Sequence, residues 1–132
     1  MEVNRIRALR GPNLWSHHTA IQSVVSCEPH ECDISGIAGF EARLRERFPE
    51  MGALQTIGHT DAISMARVLE LAALGLQAQA GCPVTFSCSR PTVDANVFQV
   101  VVEYSEEEVG LLAMELAPVS YTHLTLPTKR IV

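Results

Sequence analysis

Aromatic residues are scarce in this chain, 5% of 132 residues with Trp15 the single tryptophan, so aliphatic side chains must carry the packing of any core. Long apolar runs are missing too: nothing approaches the roughly 20 residues that a helix needs to cross a bilayer. No membrane association is expected. The opening MEVNRIRALRG has no apolar h-region, so no secretory signal is read there and a cytoplasmic location is expected. Basic residues are outnumbered, 10 against 15 acids, for a formal net charge of −5. That balance argues against nucleic-acid binding, which needs Lys and Arg to neutralise phosphates. No P-loop, GxGxxG or GxSxG motif occurs, so nucleotide cradling and acyl transfer have no support in this segment.

The cysteines are Cys27, Cys32, Cys82 and Cys88, and none forms the tight C-x2-C pair of a zinc ribbon. CEPHEC places Cys27, His30 and Cys32 close together, but at C-x4-C spacing. Without a secretory signal, free thiols are expected rather than a disulfide framework, and no metal is assigned.

What is present is an apolar content of 47% with 19% charged residues, a globular composition in a length suited to one domain. EVNRIRAL reads as a first strand, broken by the Gly-Pro-Asn turn of RGPNLWS, and AIQSVVSCE (Ala20–Glu28) as a second. Phe40, Leu44 and Phe48 recur at four-residue steps, an amphipathic helix closed by Pro49. A long helix is expected from an N-cap at Thr60 or Asp61 to Gly81, apolar nearly all round and therefore central. CPVTFSC (Cys82–Cys88) reads as a third strand and NVFQVVVEYS (Asn96–Ser105) as a fourth. Ser105 is the expected cap of a last helix whose first turn carries Glu106, Glu107 and Glu108, suited to the positive helix start. The order β-β-α-α-β-β-α predicts a two-layer α+β domain, a sheet of about four strands with helices on one face.

The end of the chain breaks this pattern. Pro118 is expected to cut the last helix after about three turns. VSYTHLTLPT (Val119–Thr128) resembles the in-frame translation of a transposase sequencing adapter, because GTC-TCT-TAT-ACA-CAT-CTG-ACG-CTG-CCG-ACG encodes those residues in order. Residues 1–117 are therefore read as the native domain, incomplete at its carboxyl end, and residues 118–132 as a non-native tail. His123, Lys129 and Arg130 then carry no functional weight.

RALRGPNLWS, LGLQAQAGCPVTFS and VFQVVVEYSEEEVGLLAMELA, in that order, resemble the amino-terminal domain of cyanophycin synthetases, proteobacterial members above all. Arg10, Gly11, Pro12, Asn13 and Trp15 carry the opening motif. The resemblance implies a homo-oligomeric enzyme that polymerises aspartate and arginine through ATP-grasp and Mur-ligase-like domains using ATP and Mg. Neither ligase domain is in this sequence. The domain that is here would hold the growing polymer and pack against those ligase domains, and no cofactor or catalytic residue is assigned to it.

Some relatives of this kind also carry a zinc hydrolase site, His-x-x-Glu-His, on the long helix, where two imidazoles at i and i+4 face one metal. Aligned without gaps through LQAQAGC, those positions here are Arg67, Glu70 and Leu71. Arginine does not deprotonate to bind Zn²⁺ and leucine has no lone pair, so a vestigial site is expected. A register through His59 fails as well, since it places Ala62 and Ile63 at the Glu and second His positions. Arg67 and Glu70 are read as an exposed (i, i+3) ion pair on one helix face. His59 is read as a helix-start residue, and His17 and His18 as solvated loop residues.

For the polymer, whose arginines present guanidinium forks, the acidic candidates are Glu103, Glu106, Glu107 and Glu108. The Arg43, Arg45 and Arg47 face is a candidate for its carboxyl groups. Two other readings stay open: a zinc-dependent polymer-trimming hydrolase, and an independent α+β binding module. Metal content separates the first of these from a scaffold.

Overall fold

Alternation drives the first strands. In the computed structural model, which describes residues 1–11, 13, 18–28, 40–49 and 65–125, β1 (Glu2–Leu9) pairs antiparallel with β2 (Ala20–Ser26). The register slips by one residue between Asn4 and Arg7, where Arg5 takes φ 52, a bulge that bends this edge strand. β2 pairs with β4 (Val97–Glu103), and β4 with β3 (Ser87–Pro91), so the antiparallel sheet runs β1-β2-β4-β3. The third strand differs from expectation. Cys82 to Phe86 is irregular and the ladder starts at Ser87, because the hairpin is fixed by a turn at Thr92, whose N–H donates to Val97 C=O at 3.0 Å. Asn96 takes φ 62 in that turn, a backbone state that asparagine tolerates. Pro91 is admissible because β3 is an edge.

Ile21 and Val25 of β2 and Phe98, Val100 and Val102 of β4 share one face of the sheet and join the core. Three helices are among the described residues, α1 (Phe40–Arg47), α2 (Met65–Gln79) and α3 (Glu107–Thr125). α2 packs over β3 and β4, α3 over β1 and β2, and the two touch along their length. α2 is buried on nearly every side, including Val68, Leu69, Leu71, Ala72, Ala73 and Leu74. α1 docks through buried Phe48, whose ring takes the space that a Cβ on Gly75 would fill. Two hydrogen bonds between Arg47 and Gln79 fix that contact, and the Arg47 guanidinium lies 4.8 Å from the Phe48 ring centroid. Arg47 is thus committed to helix docking.

α2 ends as expected at Gly81. With φ +84, Gly81 donates its N–H to Ala78 C=O at 3.0 Å while Cys82 N–H reaches Gln77 C=O at 2.9 Å, a Schellman closure. The expected start near Thr60 lies outside the described residues. At the head of α3 the first helical bond runs from Gly110 N–H to Glu106 C=O, so Glu106 rather than Ser105 takes the N-cap position. The far end of α3 corrects a sequence expectation. The helix runs through Pro118 to Thr125, a length of 19 residues. Pro118 removes one intrahelical donor, but Ala117, Ser120 and Tyr121 are buried beyond and before it, and Tyr121 joins the core.

Cys27 is in a disulfide, which overturns the expectation of free thiols for that residue. Cys82 and Cys88 are free. No helix among the described residues is long and apolar enough to cross a membrane.

Candidate functional site

The antiparallel register brings Leu9, Ala20 and Glu103 level at one end of the sheet, one step from Ser87. Three connections therefore meet there: the loop carrying the opening motif, the β4–α3 junction and the α2–β3 segment. Asn13 ties the loop to itself, donating through Nδ2 to Gly11 C=O at 3.1 Å and His18 C=O at 3.0 Å. Thr19 sews the loop to the junction. Its hydroxyl donates to Tyr104 C=O at 2.8 Å, and its carbonyl accepts from Tyr104 N–H at 3.2 Å. From below, Gln77, fully buried on α2, donates through Nε2 to Glu103 C=O at 2.9 Å.

These contacts frame an open cleft of about 630 Å³, lined by Gly11, His18, Thr19, Val84, Glu103 and Tyr104 among others. Next in sequence to Gly11 of this lining, the Arg10 guanidinium forks onto the Glu107 carboxylate, Nε to Oε1 and Nη2 to Oε2, the latter at 3.0 Å. The Tyr104 hydroxyl donates to the same Oε1 at 3.5 Å. Arg10 holds the Glu107 carboxyl below the ordinary range by hydrogen bonding, a stronger influence than desolvation, which pushes the other way. Gly110 lets this corner close, since a Cβ there would lie 2.6 Å from Tyr104 Cβ and 3.2 Å from Ile21 Cγ1.

Of the four predicted glutamates, only Glu103 lines the cleft, and it is buried. Glu107 is paired with Arg10, while Glu106 at the N-cap and Glu108 on the first turn of α3 are exposed. The opening motif is joined to the acidic cluster across 97 residues of sequence by Arg10. Pro12 and Trp15 lie outside the described residues, as do His17, His30, Cys32 and His59. Sequence reasoning passed over Thr19 and Tyr104, and their only signal was a polar and an aromatic residue flanking two strands.

Arg67 and Glu70 correct the picture of an exposed pair. Arg67 donates to Glu70 Oε1 at 2.9 Å, but the Glu70 side chain is only 3% exposed against 33% for Arg67. The Ser87 hydroxyl donates to the same oxygen at 2.8 Å, so Glu70 braces α2 against the start of β3. Burial raises the Cys88 thiol, with the Glu70 charge adding to the effect and Arg90 opposing it. These residues do not fit a zinc ion. Arg67 offers only donors, Leu71 is packed into the core, and Glu70 already accepts two hydrogen bonds. Among the described residues no three His, Cys, Asp or Glu converge to hold a metal.

Residues 22–125 match the model of the cyanophycin synthase-like N-terminal domain. The chain belongs to this family. It is 33% identical over 127 residues to a cyanophycin synthetase of Trichormus variabilis and to one of a Nostoc species, in each case 86% of this chain and 14% of the relative. A cyanophycin synthetase of Geminocystis herdmanii is 31% identical over 131 residues, 89% of this chain and 15% of that protein. The chain thus spans about 14–15% of the length of these relatives. Within this cyanophycin synthase-like domain, the matched residues include Gln77, Glu103, Tyr104 and Glu107 and extend to the end of α3.

Proposed function

We propose that this domain holds the aspartate–arginine polymer beside the ATP-grasp and Mur-ligase-like domains of a longer, homo-oligomeric, cytoplasmic synthetase, with ATP and Mg bound in those other domains. One observation carries the reading: a family domain whose sheet end opens into a cleft with Glu103 in its wall, and with Glu106, Glu107 and Glu108 following Ser105 of the same lining. Such a site suits a flexible cation with several N–H donors, and guanidinium is a closer match than ammonium because it forks onto a carboxylate. Salt should weaken the interaction, since most of these carboxylates face water.

The hydrolase reading is not favoured, because Arg67 and Leu71 stand where the two imidazoles would be and offer no lone pair, leaving Glu70 as a single carboxylate already engaged at Oε1. The test is calorimetric titration of the full chain with soluble cyanophycin, with zinc assayed on the same sample. The expected result is salt-sensitive binding without stoichiometric zinc, reduced in a Glu103→Gln, Glu106→Gln, Glu108→Gln variant. Stoichiometric zinc with polymer cleavage would restore the hydrolase reading. No ATP-dependent incorporation of aspartate or arginine by this chain is expected.

A further inference from the structure

The peptide unit between Glu103 and Tyr104 joins two residues of the cleft wall, and it is gripped at both ends. Its N–H donates to Thr19 C=O at 3.2 Å, and its C=O accepts from Gln77 Nε2 at 2.9 Å. The flanking groups are bonded as well, Glu103 N–H to Phe86 C=O at 3.0 Å and Tyr104 C=O to the Thr19 hydroxyl at 2.8 Å. Three of these four bonds come from the connections that frame the cleft. The fourth comes from the interior, because Gln77 is a fully buried residue of α2 that is not part of the cleft lining.

A glutamine at this position carries a cost. Its Nε2 is satisfied, but its buried Oε1 has no partner among the described residues, and an acceptor left so destabilises a fold. α2 does not need the amide to stay in place. Val68, Leu69, Leu71 and Leu74 bury the helix, and Gly81 closes its end. Methionine would fill a similar volume without an orphan oxygen. What only the amide supplies is a donor for the Glu103 carbonyl.

We propose that Gln77 is a positioning residue for the cleft: from beneath the sheet end it fixes the Glu103–Tyr104 peptide, and with it the placement of the Glu103 carboxylate in the wall. Gln77 touches no ligand and acts only through these two residues. This inference rests on the reading of the cleft as a polymer site.

The experiment is calorimetric titration of soluble cyanophycin at low ionic strength into four proteins, each the full chain: the parent sequence, Gln77→Met, Gln77→Leu and Ser23→Ala. Ser23 is the control, equally buried but bonded to Met114 Sδ in the middle of β2, away from the cleft. Both Gln77 variants should bind about three- to tenfold more weakly, the factor that one hydrogen bond is worth, and Ser23→Ala should bind like the parent. Gln77→Met should nonetheless melt within about 4 °C of the parent, since the lost hydrogen bond and the removed orphan oxygen offset each other. Hydrogen exchange at Tyr104 N–H, the other end of the gripped peptide, should accelerate in the Gln77 variants and not in Ser23→Ala. Parent-like binding or unchanged Tyr104 exchange in the Gln77 variants overturns the positioning role and leaves the polymer reading standing. Equal loss of affinity in Ser23→Ala does the same. Failure of both Gln77 variants to fold would make Gln77 a structural residue and also overturn it. If the parent does not bind cyanophycin, the polymer reading fails and this inference goes with it.

Discussion

Removing Arg67 should destabilise the domain more than neutralising Glu70, although Arg67 is the more exposed of the two. The Glu70 side chain is 3% exposed and its Oε1 accepts from Arg67 and from Ser87. Arg67→Met keeps the aliphatic stem but leaves a buried carboxylate with only a hydroxyl donor. Breaking a fully buried pair in this way costs about 3–5 kcal/mol. Because the Arg67 side chain is 33% in water, part of its effect is screened, and roughly 2–3 kcal/mol is the better expectation. Glu70→Gln removes the buried charge and keeps an amide oxygen that still accepts from both donors, which costs about 1 kcal/mol. At this chain length the melting temperature should fall by roughly 10 °C for Arg67→Met and by about 4 °C for Glu70→Gln. A double variant, Arg67→Met with Glu70→Leu, should recover much of the loss, because an apolar pair can replace a buried ionic one. Urea denaturation of the four proteins ranks their stabilities. If Glu70→Gln proves the costlier single change, the carboxylate does not depend on Arg67 and the reasoning is wrong.

The Glu107 carboxyl should titrate below its ordinary value of 4.5. A carboxyl lowered by folding contributes stability that is present above the unfolded value and is lost as pH falls through the folded one, so the Arg10 contact should hold at neutral pH and release in acid. Carbon-13 NMR of the side chain reads the midpoint, and Arg10→Ala should move it up. Gly110→Ala should cost roughly 1–2 kcal/mol, an overpacking penalty partly offset by better helix propensity, and should weaken polymer binding by lifting the first turn of α3 from Tyr104; a stabilised variant would contradict the close approach. Tyr121→Ala should cost about 3 kcal/mol, and an unchanged melting temperature would make the residues after Ala117 an appendage.

Local periodicity made β1, β2, β4 and the body of α2 legible, because each buries residues at a spacing that its own sequence displays. The third strand was misread for a physical reason. Val84 and Phe86 alternate like a strand, yet β3 consists of Ser87–Pro91, polar residues that an edge strand tolerates and that only its pairing with β4 defines. The helix expected to stop at Pro118 continues because Tyr121 has a place in the core, a tertiary contact that outweighs the local break. Glu70 looked like surface because its second partner, Ser87, is 17 residues away on another element. The Arg10–Glu107 contact spans 97 residues, so the sequence displayed its two halves, a motif and an acidic turn, without a sign that they meet.

The cleft follows from connections rather than from any single motif. A sheet with both central strands ending level leaves three chain crossings at one edge of the core, and each needs its backbone groups satisfied. Thr19 and Gln77 do this with side chains, and Gln77 does so at a cost: its buried Oε1 has no partner among the described residues while Nε2 serves the Glu103 carbonyl. A fold that tolerates an unsatisfied acceptor to hold one strand end in place has fixed the position of Glu103, and through Tyr104 and Gly110 that of Glu107. Two carboxylates are thereby set on a rigid frame, one in the wall of the cleft and one beside it. Glu103 is buried in that wall while Glu107 keeps an exposed partner in Arg10, so salt should act on the second before the first.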